Sequence, residues 1–229
     1  MTKKTETKDN LLVEIQNLTR WYADSPSMIF KDFNAQIFKN DFCFILWKSW
    51  VWKTTLLNFL TMKIRPPKKM MFYKKDDLAR LTDVEIQRYR RKIWVIYQDF
   101  KLIDWKNVKQ NISYPLEIVW EPKEQIDKKV NEILYKTELM SKKDVMVPSL
   151  SWWEKQRVAI ARALVFEPEF ILADEPTWNL DQDTSRKIAD ILINLNKMWN
   201  TILFVTHDLS LLEYVQNKHE KVKVINIQK

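Results

Sequence analysis

The chain has 229 residues, of which 46% are hydrophobic, and its net charge is +8 at neutral pH. That length and apolar content fit one compact domain with a buried core, and the single cysteine excludes an internal disulfide. The basic residues are dispersed along the sequence, which favours a lysine-rich solvated surface over a nucleic-acid or anionic-membrane surface. We therefore expect no nucleic-acid partner.

The N-terminus and the hydropathy pattern bear on membrane association. Residues 1–10 are polar and lack the apolar segment of a signal peptide, so we expect a flexible N-terminus there. No run of about 18 apolar residues occurs, so we expect no membrane-spanning helix, and any membrane role then requires a partner. Cys43 lies in an apolar run, which predicts a buried structural thiol and suits a reducing cytosol.

Apolar strand-like runs alternate with helical patterns along the chain. Strands are predicted at 11–18, 29–38, 42–46, 93–97, 170–173, 201–205 and 222–227. Helices are predicted at 53–60, 83–91, 123–139, 153–166, 183–198 and 209–215. The helix at 123–139 has one apolar face, formed by Ile126, Val130, Ile133 and Leu134. This alternation predicts an α/β fold with a largely parallel sheet.

The frame of a phosphate-binding loop follows the apolar run at 42–46. Residues 46–57 read LWKSWVWKTTLL, which fits G-x-x-x-x-G-K-[ST] with Lys53 and Thr54 at the last two places. In such loops backbone amides hold the phosphates, the lysine reaches the β and γ oxygens, and the hydroxyl binds Mg²⁺. Because tryptophan fills the glycine places, the frame alone fits a basic turn before a helix equally well.

Two carboxylates follow the apolar run at 170–173. Asp174 and Glu175 then lie at the carboxyl end of a predicted strand, the edge at which α/β sheets bind ligands. The first is placed to hold Mg²⁺ and the second to act as a general base on water. Alone, the pattern fits a strand that ends in a charged turn, but the upstream phosphate-loop frame favours a site.

A third motif identifies a family. Residues 150–156 read LSWWEKQ and precede the helical run RVAIARAL. They resemble the LSGGQ signature of ABC ATPases, with Trp152 and Trp153 at its two glycine positions. The three motifs match that family in order and spacing, and the resemblance as a whole covers about residues 11–227. The resemblance implies a RecA-like P-loop nucleotide-binding domain at 11–229, with a small antiparallel β part and a helical subdomain inserted at about 99–160.

The resemblance also assigns roles to residues, with ATP and Mg²⁺ as the cofactors. It implies that Glu175 polarises the attacking water, that His207 fixes the γ-phosphate and that Gln98 senses it. Mg²⁺ is expected at Thr54, Gln98 and Asp174. The implied nucleotide-binding residues are Tyr22, Trp47, Lys48, Ser49, Trp50, Val51, Trp52, Lys53, Thr54, Thr55, Ser151, Trp152 and Trp153. Among these, Tyr22 is placed to stack on adenine.

Assembly is a further implication of the resemblance. Each ATP is expected between the Lys53 loop of one chain and the Ser151 motif of a second chain, in a head-to-tail homodimer that forms in the ATP state. The run DEPTWNLD at 174–181 resembles the DEPTGNLD of ATPases partnered with FtsX- and MacB-type membrane proteins. The runs at 96–102 and 107–112 look most like the FtsE group, with LolD- and MacB-type ATPases as alternatives.

The expected function is therefore ATP hydrolysis in cell division, by a peripheral protein on the cytoplasmic face of the cell membrane with an FtsX-type integral membrane partner. One alternative is a soluble ABC protein of DNA repair, but such proteins carry long insertions between the loop and the signature. Here the separation of Lys53 from Leu150 is compact. The other alternative is a scaffold that does not hydrolyse ATP.

Glycine is absent from the chain, whereas an ordinary chain of this length holds about 16. Six of the 11 tryptophans stand at glycine positions of the motifs, namely Trp47, Trp50, Trp52, Trp152, Trp153 and Trp178. Other family glycines are replaced at Asn40, Lys69 and Lys75. We hypothesise that a codon written here as tryptophan is read as glycine in the source organism. A deliberate glycine-free variant is the alternative. Since indoles fill volume and tolerate positive φ poorly, we expect the chain as written to bind ATP weakly.

Overall fold

The computed structural model describes residues 8–21, 28–46, 50–178, 180–198 and 200–226. The strands are β1 (Leu11–Trp21), β2 (Met28–Phe38), β3 (Phe42–Leu46), β4 (Met71–Tyr73), β5 (Asp76–Asp77), β6 (Ile93–Ile96), β7 (Phe170–Asp174), β8 (Thr201–Thr206) and β9 (Val222–Asn226). The α-helices are α1 (Trp50–Leu60), α2 (Asp83–Lys92), α3 (Val108–Ile118), α4 (Lys123–Lys136), α5 (Trp152–Leu164), α6 (Gln182–Lys197) and α7 (Leu209–Lys218). The predicted α/β architecture is confirmed.

A parallel sheet forms the centre of the fold, with its strands in the order β6-β7-β8-β3-β9. Its inner strands are nearly continuous apolar runs, because helices and a second sheet cover both faces. Side chains alternate between the faces, so that Phe42 and Phe44 of β3 join the helix-covered core while Cys43 and Ile45 join the opposite core. Because β7 and β8 are neighbouring parallel strands, the segments that follow them meet at the same edge of the sheet.

The second sheet is antiparallel and has the order β2-β1-β4-β5. It packs on the parallel sheet through a core that Leu12, Ile15 and Phe30 share with Cys43 and Leu172. The predicted antiparallel part is thus present, and the residues at 71–77 complete it. The sequence pattern had indicated only a basic stretch there, since strands of two and three residues carry no periodicity.

Helices α3 and α4 lie within the predicted insertion and pack on α5. The predicted apolar face of α4 is buried, which confirms that assignment. Helix α3 was not predicted, because Pro115 interrupts its pattern. A capping box marks its start: the Asn107 side chain accepts from the Gln110 amide, and the Gln110 side chain accepts from the Asn107 amide.

Several turns use the left-handed region that favours glycine. Asn40 (φ 68°) and Lys69 (φ 62°) adopt it, as expected for replaced glycines, whereas at the third expected position it is Lys74 (φ 58°), not Lys75, that does so. Trp120 also has a positive φ of 59°, and its side chain is 90% exposed. An exposed indole in that conformation has little packing to offset the backbone strain, so this turn is one that glycine suits better.

Two expectations about exposure and membranes can be compared with the fold. Cys43 is fully buried, which confirms the structural thiol, and burial together with the nearby Asp41 carboxylate raises the pKa of its thiol. Among the described residues, no helix has both the length and the apolar character needed to cross a membrane. Of the N-terminal segment, Lys8–Asn10 form a 3-10 helix, and residues 1–7 lie outside the described residues.

Candidate active site

A buried ion pair joins the phosphate-loop helix to the end of β7. Lys53 lies in the first turn of α1 and is 3% exposed. Its Nζ lies 2.9 Å from Oδ1 of Asp174, the last residue of β7. Two motifs about 120 positions apart in the sequence thus meet at the carboxyl edge of the parallel sheet, as strand-end ligand sites require. The arrangement places the Lys53 cation at the sheet edge where the sequence predicts a phosphate-binding loop.

The second carboxylate, Glu175, is held by groups at the end of β8. It is 1% exposed and has a left-handed backbone (φ 47°), and its amide donates to the Val205 carbonyl at 3.0 Å. Its Oε1 lies 2.9 Å from Nδ1 of His207, and the Thr206 hydroxyl approaches Oε2 at 3.4 Å. A buried carboxylate beside a half-exposed imidazole is an arrangement suited to moving a proton from water.

A cavity of about 610 Å³ opens beside the Lys53–Asp174 pair. Its lining includes Thr54, Gln98 and Asp174, so the three predicted Mg²⁺ ligands converge on one space. A hydroxyl, an amide oxygen and a carboxylate are the hard oxygen donors that Mg²⁺ prefers, which means the residues present fit the ion. Within the described ranges, no group of three or more His, Cys, Asp or Glu side chains is arranged for a metal ion.

Trp178 separates this cavity from a second one. The second space, of about 540 Å³, is lined by Glu175, Thr206 and His207, and Trp178 lines both. The Trp178 ring lies 5.3 Å from the His207 ring in an edge contact. The Trp178 indole therefore lines both the cavity beside Thr54 and Asp174 and the cavity beside Glu175 and His207.

The signature motif forms the start of α5. Ser151 is the N-cap: its hydroxyl accepts from the Glu154 amide at 3.3 Å, and the Glu154 carboxylate accepts from the Ser151 amide at 2.8 Å. The Glu154 carboxylate accepts from the Ser151 amide and also from the Ser151 hydroxyl, and these two hydrogen bonds, the amide's first, lower the pKa of Glu154. Ser151 is exposed, as a residue that contacts a second chain must be. Trp152 packs edge-on against Phe100 with ring centres 4.4 Å apart.

The structure departs from the sequence prediction at the start of α1. The helix begins at Trp50 rather than at Lys53. Trp52 was expected to fill the phosphate volume, but it is 8% exposed and lies in the core between the sheets, 6.5 Å from the Phe30 ring. Its spacing to Leu56 and Phe59 explains the placement, since residues four and seven apart share a helix face.

Other predicted residues are placed only in part. Tyr22, Trp47, Lys48 and Ser49 lie outside the described residues, as does Asn179 of the DEPTWNLD run. Trp50 and Val51 belong to α1, and Thr55 is partly exposed on the same helix. Trp153 lies on α5, where the Arg157 guanidinium is 5.4 Å from its ring.

Two residues that contact the site, Thr206 and Arg162, were not indicated by the sequence motifs. Thr206 contacts Glu175, and its hydroxyl also accepts from the Asp208 amide at 3.1 Å. The sequence signal for this segment is Asp208, a residue type that favours the N-cap position and that caps α7 here. Arg162, which contacts the loop after Gln98, has no motif of its own beyond its place in a helical run.

Comparison with protein families gives one match over most of the chain. Residues 30–178 match the family model described as ABC transporter. The chain is 32% identical over 208 residues to the cell division ATP-binding protein FtsE of Mycobacterium tuberculosis, with 91% of this chain and 90% of that protein covered. It is also 32% identical over 207 residues to the methionine import ATP-binding protein MetN 1 of Bacillus cereus, with 89% of this chain covered. The chain spans only 60% of the length of that MetN protein.

Solved structures give a similar result. The ATP-binding cassette MJ0796, in a dimeric post-hydrolysis state with ADP and Pi, matches with a TM-score of 0.78 and 29% identity over 95% of this chain and 97% of that chain. CbiO1 from Clostridium perfringens, part of the transporter complex cbiONQ, matches with a TM-score of 0.83 and 26% identity over 96% of this chain and 88% of that chain. Each similarity covers at least 95% of this chain.

Proposed function

Because this chain belongs to the ABC transporter family of ATPases, we propose that it is the ATP-hydrolysing subunit of an FtsE-type complex that acts in cell division. Two observations support this choice: the chain is 32% identical to the FtsE protein, and its run at 174–181 resembles the DEPTGNLD of ATPases partnered with FtsX- and MacB-type membrane proteins. The proposed partner is an integral membrane protein of the FtsX type, which would hold the ATPase at the cytoplasmic face of the membrane.

The chemistry proposed for the site uses the two pairs at the sheet edge. Phosphoryl transfer depends mainly on positioning and on charge neutralisation, so Lys53 is assigned to the β and γ oxygens of ATP. Glu175, with its carboxylate buried beside His207, is assigned to polarise the attacking water. Mg²⁺, held by Thr54, Gln98 and Asp174, would supply charge neutralisation at the phosphates.

Assembly of two copies completes the proposed site. Ser151 lies exposed at the N-terminus of α5, where backbone amides and the helix dipole favour a phosphate oxygen. In the proposed head-to-tail homodimer, this N-terminus faces the nucleotide on the Lys53 loop of the second copy. The similarity to MJ0796, which is dimeric in its post-hydrolysis state with ADP and Pi, supports that arrangement.

The tryptophans at motif positions oppose nucleotide binding in the chain as written. Trp152 and Trp178 line the cavity that Thr54 and Asp174 share, and Trp178 also contacts His207. We therefore propose that glycine at 47, 50, 52, 152, 153 and 178 restores binding; position 52 is included for its place in the motif, although the Trp52 indole itself packs in the core. This version is called the six-glycine version below. Titration calorimetry with Mg²⁺-ATP compares the two, and micromolar binding by the chain as written would contradict the proposal.

A second candidate is the ATPase subunit of a transporter, of the LolD, MacB or import type. The equal identity to MetN and the similarity to CbiO1 favour keeping it. Co-expression separates the two candidates, with the six-glycine version paired with an FtsX-type membrane protein from the same genome and, as a matched control, with a transporter permease. A stable detergent complex and stimulated ATP turnover with the first alone support the division role. The reverse pattern would replace it with a transport role.

A further inference from the structure

The loop that carries Gln98 contains an unusual turn. Phe100 and Lys101, in succession, both have positive φ, at 58° and 52°. The turn is closed by two short-range hydrogen bonds, from the Phe100 amide to the Tyr97 carbonyl at 3.1 Å and from the Lys101 amide to the Asp99 carbonyl at 2.6 Å. Two non-glycine residues in this conformation store backbone strain, which persists only where neighbouring groups hold it.

The Arg162 side chain holds this turn through two hydrogen bonds. It lies near the end of α5 and is 9% exposed. Its Nη2 donates to the Phe100 carbonyl and its Nη1 to the Lys101 carbonyl, each at 2.6 Å. Burial takes this guanidinium out of water, which costs free energy and lowers its pKa. Both strained residues are thus fixed by one rigid fork.

The clamp links two parts of the proposed site. Gln98 and Asp99 line the cavity together with Thr54 and Asp174, immediately before the clamped turn. Arg162 lies on the same helix that begins at the Ser151 cap. The far end of the loop is anchored separately, because buried Asn111 accepts from the Ile103 amide at 2.8 Å and donates to the Ile103 carbonyl at 3.0 Å.

We propose that Arg162 is a positioning residue for ATP hydrolysis: it fixes the left-handed turn at Phe100 and Lys101 and thereby holds Gln98 at the cavity that Thr54 and Asp174 line. The inference rests on the role proposed above for Gln98. A positioning role and a purely structural role predict different results when Gln98 is removed. An arginine that acts through Gln98 then has nothing to position, so its substitution should no longer lower kcat.

The test is a double-mutant cycle in the six-glycine version, with Arg162→Lys, Gln98→Ala and the pair. A lysine keeps the charge but cannot span both carbonyls, so we expect kcat for Mg²⁺-ATP to fall about tenfold with KM nearly unchanged. In the Gln98→Ala background, the same substitution is expected to lower kcat no further. Arg162→Gln serves as a second variant if the lysine variant does not fold.

Arg90 provides a matched control. It also donates to two successive carbonyls, to Met62 at 2.9 Å and to Thr61 at 3.3 Å, and Met62 is likewise left-handed with φ 55°. Its turn follows α1 rather than the strand that leads to Gln98. Arg90→Lys should therefore change kcat by the same factor in both backgrounds, whatever that factor is.

Amide hydrogen exchange provides a readout that needs no nucleotide. Arg162→Lys is expected to speed exchange at residues 98–103, whereas Gln98→Ala and Arg90→Lys leave that segment protected. Equal kcat losses from Arg162→Lys in the two backgrounds, or unchanged exchange at 98–103, would overturn the inference while leaving the role of Gln98 intact. A Gln98→Ala variant with undiminished kcat would remove the role of Gln98, and this inference with it.

Discussion

The two histidines of the chain lie at opposite ends of the same parallel sheet, and their partners differ. His207 follows β8 and pairs with the Glu175 carboxylate at 2.9 Å. His219 follows α7 and contacts the Asn196 side-chain oxygen at 2.6 Å. The Asn196 amide donates in turn to the carbonyls of Asn40, Asp41 and Asn200, which precede β3 and β8.

This difference distinguishes the two edges of the sheet. At the amino edge, where β3 and β8 begin, the polar groups bond to one another, whereas at the carboxyl edge, where β7 and β8 end, they line cavities. At the amino edge, neutral amides and an imidazole satisfy one another and the strand-entry carbonyls, so their hydrogen bonds stabilise the fold. At the carboxyl edge, the Lys53 ammonium pairs with the Asp174 carboxylate, and the His207 imidazole pairs with the Glu175 carboxylate. The proposed function assigns phosphate, Mg²⁺ and water to these groups. The proposed function thus uses the edge at which ionisable side chains meet the cavities, and the other edge is left to structural hydrogen bonds.

The largest expected effect is at the carboxyl edge. In the six-glycine version, Glu175→Gln should lower ATP turnover by about 10²-fold or more but keep ATP binding, because only the general base is lost. Glu169→Gln is the matched control, since Glu169 lies just before the opposite end of β7, where it binds Lys74 and Lys92. Sedimentation with ATP should show a dimer that accumulates in Glu175→Gln. Undiminished turnover in that variant would remove Glu175 from the catalytic role.

At the amino edge the expected effect is on stability. Asn196→Ala leaves three strand-entry carbonyls and His219 without their amide partner, and we expect a loss of about 2 kcal/mol in the free energy of unfolding. Asn194→Ala, at an exposed position of the same helix, should change it by less than about 0.5 kcal/mol. Urea titration measures both. Equal effects in the two variants would show that the amino edge is not closed by this network.

A smaller effect concerns left-handed residues. Asn40 at the amino edge suits a positive φ, whereas Trp120 does not. Trp120→Gly is therefore expected to raise the free energy of unfolding by about 1 kcal/mol, since the strain relieved exceeds the entropy that glycine adds to the unfolded chain. Trp105→Gly is the control, because Trp105 is similarly exposed at 79% but does not have a positive φ. A stabilisation shared by both variants would point to exposed apolar area instead.

The smallest expected effect is the titration of His219. Burial, then the cations Lys197 and Lys221, lower the pKa of His219. The unfolded chain therefore binds the proton more readily, and stability is lost as the pH falls from the ordinary histidine pKa of about 6.5 toward the lower folded value. His219→Gln should flatten this loss as the pH falls below about 6.5. Thermal melts across that range measure it, and a parallel pH profile in the variant would contradict it.

The sequence predicted much of the fold because periodicity is strong where burial is strong. The strand at 42–46 was located to the residue, and the buried face of α4 was identified in full. Helix α3 was missed because Pro115 breaks its pattern, and β4 and β5 because they are too short for a period. Local patterns hold no information about such elements, which depend on partners distant in the sequence.

For the site, motifs located residues but not their contacts. Lys53, Asp174, Glu175 and His207 stood out by type and spacing, yet neither the Lys53–Asp174 pair nor the His207–Glu175 pair follows from sequence. Trp52 was assigned to the phosphate loop by motif position, whereas its helical spacing to core residues decides where the indole packs. Arg162 acts on backbone carbonyls, which every residue carries, so its partners leave no sequence signal.

The burial of Cys43 has a practical consequence for probing assembly. It is the only cysteine of the chain, it is fully enclosed, and its raised pKa leaves almost no thiolate at neutral pH. Maleimide probes and disulfide crosslinkers should therefore ignore the native thiol in the folded protein. Cysteines introduced at exposed positions such as Ser151 and Thr54 can then be crosslinked between two copies without first removing Cys43. The native cysteine can stay in place, so the core between the two sheets need not be altered for labelling experiments.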